Sequence, residues 1–370
     1  MKCFVLPSVA ALRVMPSAVC RILGDTCAGV RAVAGAVMPV VLAAVTLFGM
    51  ASCVDEEEFS DTPRGNFEAL WKIIDEHYCF FDYKREAYGL DWNAVRAKYS
   101  VRIDDRMTSD QLFEVLADML AELRDGHVNL ANSADFARYW SWYEGYPVNV
   151  SDTLLRRYLG TDYKIAGGLR YRILDDNIGY VRYESFTDGI GEGNLDEVIS
   201  HMMLCRGIII DIRGNGGGTL TTAERLAARF VREPVLTGYM QHKTGRGHSD
   251  FSAMEEQRLS PSANLRWHKG VCVLTNRQVY SAANEFVKYM KGLPEVSIVG
   301  DRTGGGAGMP FSSLLPNGWA VRFSACPMYD RNGQSTEFGI EPDYNVSLTD
   351  ADLQRGRDTI IEFARTLLAR

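Results

Sequence analysis

Apolar positions between residues 66 and 125 recur three and four apart. Phe67, Leu70, Trp71 and Ile74 make one stripe, and Leu112, Val115, Leu116, Met119 and Leu123 make another. That spacing is the mark of amphipathic helices burying one face. Asp91 is placed to cap a short helix between them, and Thr108 with Gln111 forms a capping box ahead of the second stripe. Together they predict a helical domain over 66–130. Residues 131–170 lose this period. Phe136, Tyr139, Trp140, Trp142 and Tyr143 cluster there among Gly and Pro, an aromatic-rich linker that covers a core or lines a substrate cleft, the core being the favoured reading.

From residue 171 the texture alternates. Ile178–Tyr183 reads as a strand, Leu195 to Met203 as a helical stripe, and Gly207–Ile212 as a continuous apolar run. Such a run suits a strand buried on both faces. A helix over 220–230, a strand at 271–275, a helix at 282–291 and a strand at 296–300 follow. Strand–helix alternation implies an α/β domain over 171–370, with a mostly parallel sheet covered by helices. Leu315-Pro-Asn-Gly318 signals a hairpin before a strand at 319–325, and a last helix is expected over 350–369. Residues 238–262 are polar and mixed in charge, and read as a mobile flap.

The N-terminus changes the picture. Residues 32–51 are almost wholly apolar and small after Arg31, and Leu47-Phe-Gly-Met-Ala-Ser-Cys53 looks like a lipobox. Residues 1–52 are therefore expected to be a lipoprotein signal peptide, with Cys53 carrying the lipid. Residues 53–65 form an acidic tether, and its Asp-Glu-Glu-Glu run resembles the surface-export signal of Bacteroidetes lipoproteins. The location expected is the outer membrane or cell surface, membrane-bound through the anchor, with the periplasmic face as the alternative.

Net charge is −7, and the residues after 52, 36 basic against 46 acidic, carry −10. A nucleic-acid partner, which wants a basic face, is not expected. Beyond the leader and Cys53 the cysteines are Cys79, Cys205, Cys272 and Cys326, widely spaced and without a Cys-x-x-Cys pair. A metal site is not expected from them.

Candidate chemistry rests on three segments. Ser281 follows an apolar strand and a polar turn, and opens a helix. Taken alone it is an N-cap. Asp211-Ile-Arg-Gly-Asn-Gly-Gly-Gly218 also ends a buried strand, where ligands of such sheets collect. It lacks the Lys-Ser/Thr of a phosphate loop. Its glycine N–H groups, at Gly217 and Gly218, with that of Ala282, suit an oxyanion hole. Among six histidines, His127 stands at a helix exit after Asp-Gly, aimed as a base would be.

These segments resemble the C-terminal processing and tricorn-core serine peptidases. Gly207-Ile-Ile-Ile-Asp-Ile-Arg-Gly-Asn-Gly-Gly-Gly218 matches the glycine motif, and Leu274-Thr-Asn-Arg-x-x-x-Ser-Ala-Ala-Asn-Glu285 the nucleophile segment. Val299-Gly-Asp-Arg-Thr-Gly-Gly305 and Gly339-Ile-Glu-Pro-Asp343 match two later blocks. The resemblance implies a ββα-spiral, crotonase-like peptidase core, a Ser281 nucleophile, a protein or peptide substrate, and no cofactor. The lysine base of the processing branch falls on Gly306, so the histidine-dependent branch, with His127, fits better. There a serine precedes the histidine, where this chain has Gly126. Glu337 is the carboxylate the resemblance offers for orienting His127, with Asp125 and Asp301 as rivals. The linker is too short for the PDZ module of many relatives. The function expected is a serine endopeptidase of the cell envelope. The alternative is an inactive peptide- or lipid-binding protein on the same fold, and an esterase is disfavoured because Ser281 lacks Gly-x-Ser-x-Gly. Oligomeric state is not legible.

Overall fold

The computed structural model describes residues 58–369. The leader, Cys53 and the start of the tether lie outside the described residues. Four helices come first: α1 (Pro63–His77), α2 (Phe81–Tyr88), α3 (Trp92–Ser100) and α4 (Ser109–Ala121). The expected caps form. Asp91 accepts from Ala94 N–H, and Thr108 and Gln111 close a reciprocal capping box. Leu112, Val115, Leu116 and Met119 are buried along α4.

Two short strands follow, β1 (Asn129–Ala131) and β2 (Phe136–Arg138), then α5 (Asp152–Leu159). The first half of the α/β region holds β3 (Lys164–Ala166), β4 (Leu169–Ile173), β5 (Gly179–Tyr183), α6 (Glu192–His201), β6 (Gly207–Asp211) and α7 (Leu220–Ala227). After β7 (Val235–Met240) and β8 (Glu255–Leu259) come β9 (Gly270–Thr275), α8 (Ala282–Met290) and β10 (Val296–Gly300). The chain closes with β11 (Gly308–Leu314), β12 (Ala320–Asp330), β13 (Tyr344–Asn345), α9 (Asp350–Gln354) and α10 (Thr359–Leu368).

One sheet has the order β13-β10-β9-β6-β5-β4-β3, parallel from β13 to β5 and antiparallel beyond. Every residue of β6 is buried, as its apolar run requires. Alternation divides them: Ile208 and Ile210 pack with Phe286 and Val287 of α8, and Ile209 packs with Ile360 and Ile361 of α10. α8 is buried along its whole length. Its Glu285 and Lys288 are matched to each other at 2.5 Å, which makes their burial tolerable.

The second sheet runs β2-β1-β12-β7-β8, with β11 on β12. The helical segment does not build a core of its own. Phe67, Leu70, Leu116 and Met119 share one cluster with Trp319, Val321 and Phe323 of the β12 hairpin. Residues Phe59–Arg370 form one compact unit. The loop expected to be a mobile flap is instead fastened to α1 and α2. His248 Nε2 lies 2.8 Å from Asp75 Oδ1, its ring stacks on Phe81 at 4.1 Å, and Ser249 donates to Asp82. The four described cysteines are buried free thiols. Among the described residues no helix is long and apolar enough to cross a membrane, and no group of acids, His and Cys is arranged to hold a metal.

Candidate active site

Ser281 sits between the turn after β9 and the first residue of α8. Its backbone has φ 58° and ψ −126°, a region that side-chain-bearing residues rarely adopt and that costs about 1–3 kcal/mol. Surrounding bonds enforce it: Ser281 N–H donates to Gly305 O at 2.9 Å, and Ser281 O accepts from Glu285 N–H at 3.0 Å. Although Ser281 occupies the N-cap position, its hydroxyl makes no cap bond. The Oγ instead lies 2.9 Å from His127 Nε2.

His127 is held from its own main chain. Arg124, at φ 47°, ends the helical run, and Asp125 Oδ1 accepts the His127 N–H at 2.7 Å. The imidazole is buried. Burial pushes its pKa down to about 4; Asp125 pulls it up, while Arg138, Arg322 and Lys84 push it down further. The ring is therefore neutral at neutral pH. For Nε2 to accept from Ser281, the ring proton must sit on Nδ1. That nitrogen is buried and has no hydrogen-bond partner among the described residues.

The carboxylates lie nearby but differently from expectation. Glu337 Oε1 is 2.9 Å from Lys84 Nζ, and its Oε2 accepts from Ala307 N–H at 3.0 Å. Glu337 makes no hydrogen bond to His127 among the described residues. Burial raises its pKa to about 7, Asp125 adds to the rise, and Lys84 opposes it. For Asp125 burial also acts upward. Lys84, His127 and hydrogen bonds outweigh it and hold the carboxyl below the usual range. Asp125 accepts from Tyr78 at 3.1 Å and Ser324 at 2.8 Å besides the His127 amide. Two buried carboxylates thus share one fully buried ammonium, Lys84. Asp301 lies apart, bonded to the Arg302 amide and Asn149.

The glycine loop lies against Ser281. A Cβ on Gly217, at φ 100°, would come within 2.8 Å of Ser281 Cβ and 2.9 Å of Ala282 N, so only glycine permits this approach. One expectation needs correcting. The Gly217 N–H donates to Asn215 Oδ1 at 2.9 Å and is not free for an oxyanion. The amides of Gly218 and Ala282 make no hydrogen bond among the described residues. Arg213 and Asp211 tie the loop down. Arg213 is fully buried and bonds Asp211 and Asp358, the residue that caps α10.

Two departures at glycines have steric causes. A Cβ on Gly306 would meet the Tyr280 ring at 2.5 Å, so a lysine cannot be carried there. A Cβ on Gly126 would meet Trp142 Nε1 at 2.7 Å and Tyr280 Oη at 2.8 Å. Tyr280 is layered between His127 and Trp142, with ring centroids 5.0 and 4.2 Å away.

Residues 177–346 match the model of peptidase family S41, and residues 59–121 match that of the tricorn protease C1 domain. A crystal structure from Parabacteroides merdae ATCC 43184, assigned as a peptidase, is 54% identical, with TM-score 0.79, over 84% of this chain and 98% of that one. The chain belongs to peptidase family S41. Mature CPAF in complex with lactacystin shares the fold, with TM-score 0.63 and 13% identity over 83% of this chain and 97% of that one. The carboxy-terminal processing protease CtpA of Bacillus subtilis (strain 168) is 23% identical over 48% of this chain and 36% of its own length. The chain spans 17% to 36% of the lengths of the curated relatives it matches. Family S41 accounts for the α/β core and for serine-type peptidase chemistry.

Sequence reasoning missed Lys84, Asn215, Arg138 and Tyr280. Lys84 had one local signal, its place four residues after Phe80 on a buried helical face. Nothing local marked Arg138, which reaches the site because β2 folds back on β1.

Proposed function

We propose that the chain is a serine endopeptidase of the cell envelope that cuts proteins or peptides with Ser281 as nucleophile and His127 as base. The observation that carries this reading is the 2.9 Å contact between Ser281 Oγ and His127 Nε2, made by a serine held in a strained, uncapped conformation. The neutral imidazole accepts the Ser281 proton as Oγ attacks the peptide carbonyl. The negative oxygen then falls to the free Ala282 N–H at the start of α8, where the helix dipole also favours negative charge, and to the Gly218 N–H. His127 passes the proton to the leaving amine, and water releases the acyl group by the same route. Asp125 acts on His127 by fixing its main chain and by favouring the imidazolium through space.

The envelope assignment draws on the sequence from Leu47 to Phe59. The cysteine after small residues would take the lipid, and the acidic run would carry the protein outward. Replacing Cys53 by Ala is expected to abolish palmitate incorporation and to release the protein from membranes; retention of both would overturn it.

The reaction is tested with matched end-blocked and free-ended peptides and cleavage mapping by mass spectrometry. Internal cuts by the wild type that vanish in Ser281→Ala are expected. Cuts that persist in that variant, or trimming confined to free chain ends, would contradict the reading.

A further inference from the structure

The strands beside His127 place two arginines on one row. In the antiparallel pairing of β2, β1 and β12, Asn129 lies opposite Arg138 on one side and Arg322 on the other. Directly opposed residues share a sheet face, so all three side chains project together. That face is the one away from the helical core, because the alternating residues Leu130, Val321 and Phe323 are buried in it. The two Cα atoms are two strand spacings apart, roughly 10 Å, with Asn129 between them. Asn129 is itself anchored, donating to His127 O at 3.0 Å.

Neither guanidinium is matched to a carboxylate among the described residues. Arg322 is exposed, whereas the fully buried guanidiniums are paired. Arg213 holds Asp211 and Asp358, and Arg229 holds Glu192 and Asp196. Arg138 is half-buried, donates its Nε–H to Gly126 O, and lies 4.7 Å over Trp140 and 5.7 Å over Tyr280. Its orientation is thus fixed while its terminal N–H groups have no protein partner. Burial works against the Arg138 charge and Asp125 supports it only through space, so an anion bonded to the guanidinium would recover free energy. Both arginines act on His127, pushing its pKa down, so they stand within electrostatic range of the reacting atoms.

We propose that Arg138 and Arg322 form a carboxylate-binding subsite that selects acidic peptides for the Ser281 centre. This rests on the peptidase reading and deepens it. A planar guanidinium matches a carboxylate with two parallel hydrogen bonds. The carboxylate comes from a substrate Asp or Glu side chain or from the peptide's end, and the two sources are separable.

The test uses the full-length protein and three peptide sets, all blocked at the N-terminus. One carries Glu at successive positions flanking the scissile bond and ends in an amide. The second has Gln at the same positions. The third has Gln and a free terminal carboxylate. The wild type is expected to favour an acid-bearing set over the second by about tenfold in kcat/KM. Arg322→Gln and Arg138→Gln should each bring that ratio toward one, and Arg322→Glu should turn it in favour of a Lys-bearing peptide. Preference for the first set assigns the row to side chains, and preference for the third assigns it to chain ends. A wild-type ratio near one for both, or a ratio unchanged in all three variants, would overturn the subsite. Failure of the peptidase reading is seen separately, as no Ser281-dependent cleavage of any peptide. In that event, binding of the three sets to Ser281→Ala, with and without Arg322→Gln, still decides whether the row holds a carboxylate.

Discussion

His127 Nε2 meets Ser281 Oγ at 2.9 Å, while the Nδ1 of the same ring, buried, has no hydrogen-bond partner among the described residues. The proposed proton acceptor is within reach of the serine, and no carboxylate among the described residues is bonded to its other nitrogen. Removing the imidazole by His127→Ala is expected to lower kcat by roughly 10⁴-fold, with KM little changed, because the group acts in the transition state. Steady-state kinetics on an end-blocked peptide check this. A loss smaller than tenfold would mean that another group takes the proton.

The pH dependence follows from burial of the same ring. Its pKa is depressed to about 4, from about 6.5 in an unfolded chain. The free enzyme should therefore lose kcat/KM on the acid side near pH 4, not near 6.5. Stability shares the cause. Between these values the unfolded chain binds a proton that the folded one does not. The contribution, on the order of 3 kcal/mol, is full above about pH 6.5 and is lost as pH falls toward 4. Denaturant titrations of wild type and His127→Gln from pH 4 to 7 should diverge in slope in that window.

Lys84 is a buried ammonium serving Glu337 and the Arg124 carbonyl, with Asp125 in range. Lys84→Met leaves a buried carboxylate unmatched, and a cost of about 3–5 kcal/mol is expected. Adding Glu337→Gln should recover part of it. Thermal melts of the two single variants and the double variant measure the coupling, and strict additivity would contradict the pair.

Gly126 is fixed by its neighbours, Trp142 and Tyr280. Gly126→Ser should destabilise the fold by about 1–3 kcal/mol through overpacking. The penalty should shrink in a Trp142→Ala background, where one of the two clashes is gone. Equal penalties in both backgrounds would show that the tryptophan does not set this position.

The candidate site was legible where its signals were local. Ser281 and His127 each sit in a short run whose helix boundary and glycine can be read directly. The apolar run of β6 announced a doubly covered strand, and the caps at Asp91 and Thr108 fixed two helix starts. What escaped was contact at a distance. Glu337 is claimed by Lys84 across 253 positions of chain, and no spacing rule encodes that. The Gly217 amide is taken by Asn215 two residues before it, and what orients that side chain is remote, its bond to Tyr183 O at 3.1 Å. The loop over 238–262 looked mobile from its polarity. Its polar groups turn out to be partners for Asp75, Glu76 and Asp82. The leader and Cys53 lie outside the described residues, and their reading stands on the sequence alone.

The assignment of Ser281 and His127 is tested most directly by covalent labelling with a fluorophosphonate. One label per chain on Ser281 is expected in the wild type, none in Ser281→Ala, and a rate at least a hundredfold slower in His127→Ala, on the order of a general base's contribution. Labelling of Ser281→Ala to the wild-type extent, or an undiminished rate in His127→Ala, would contradict it.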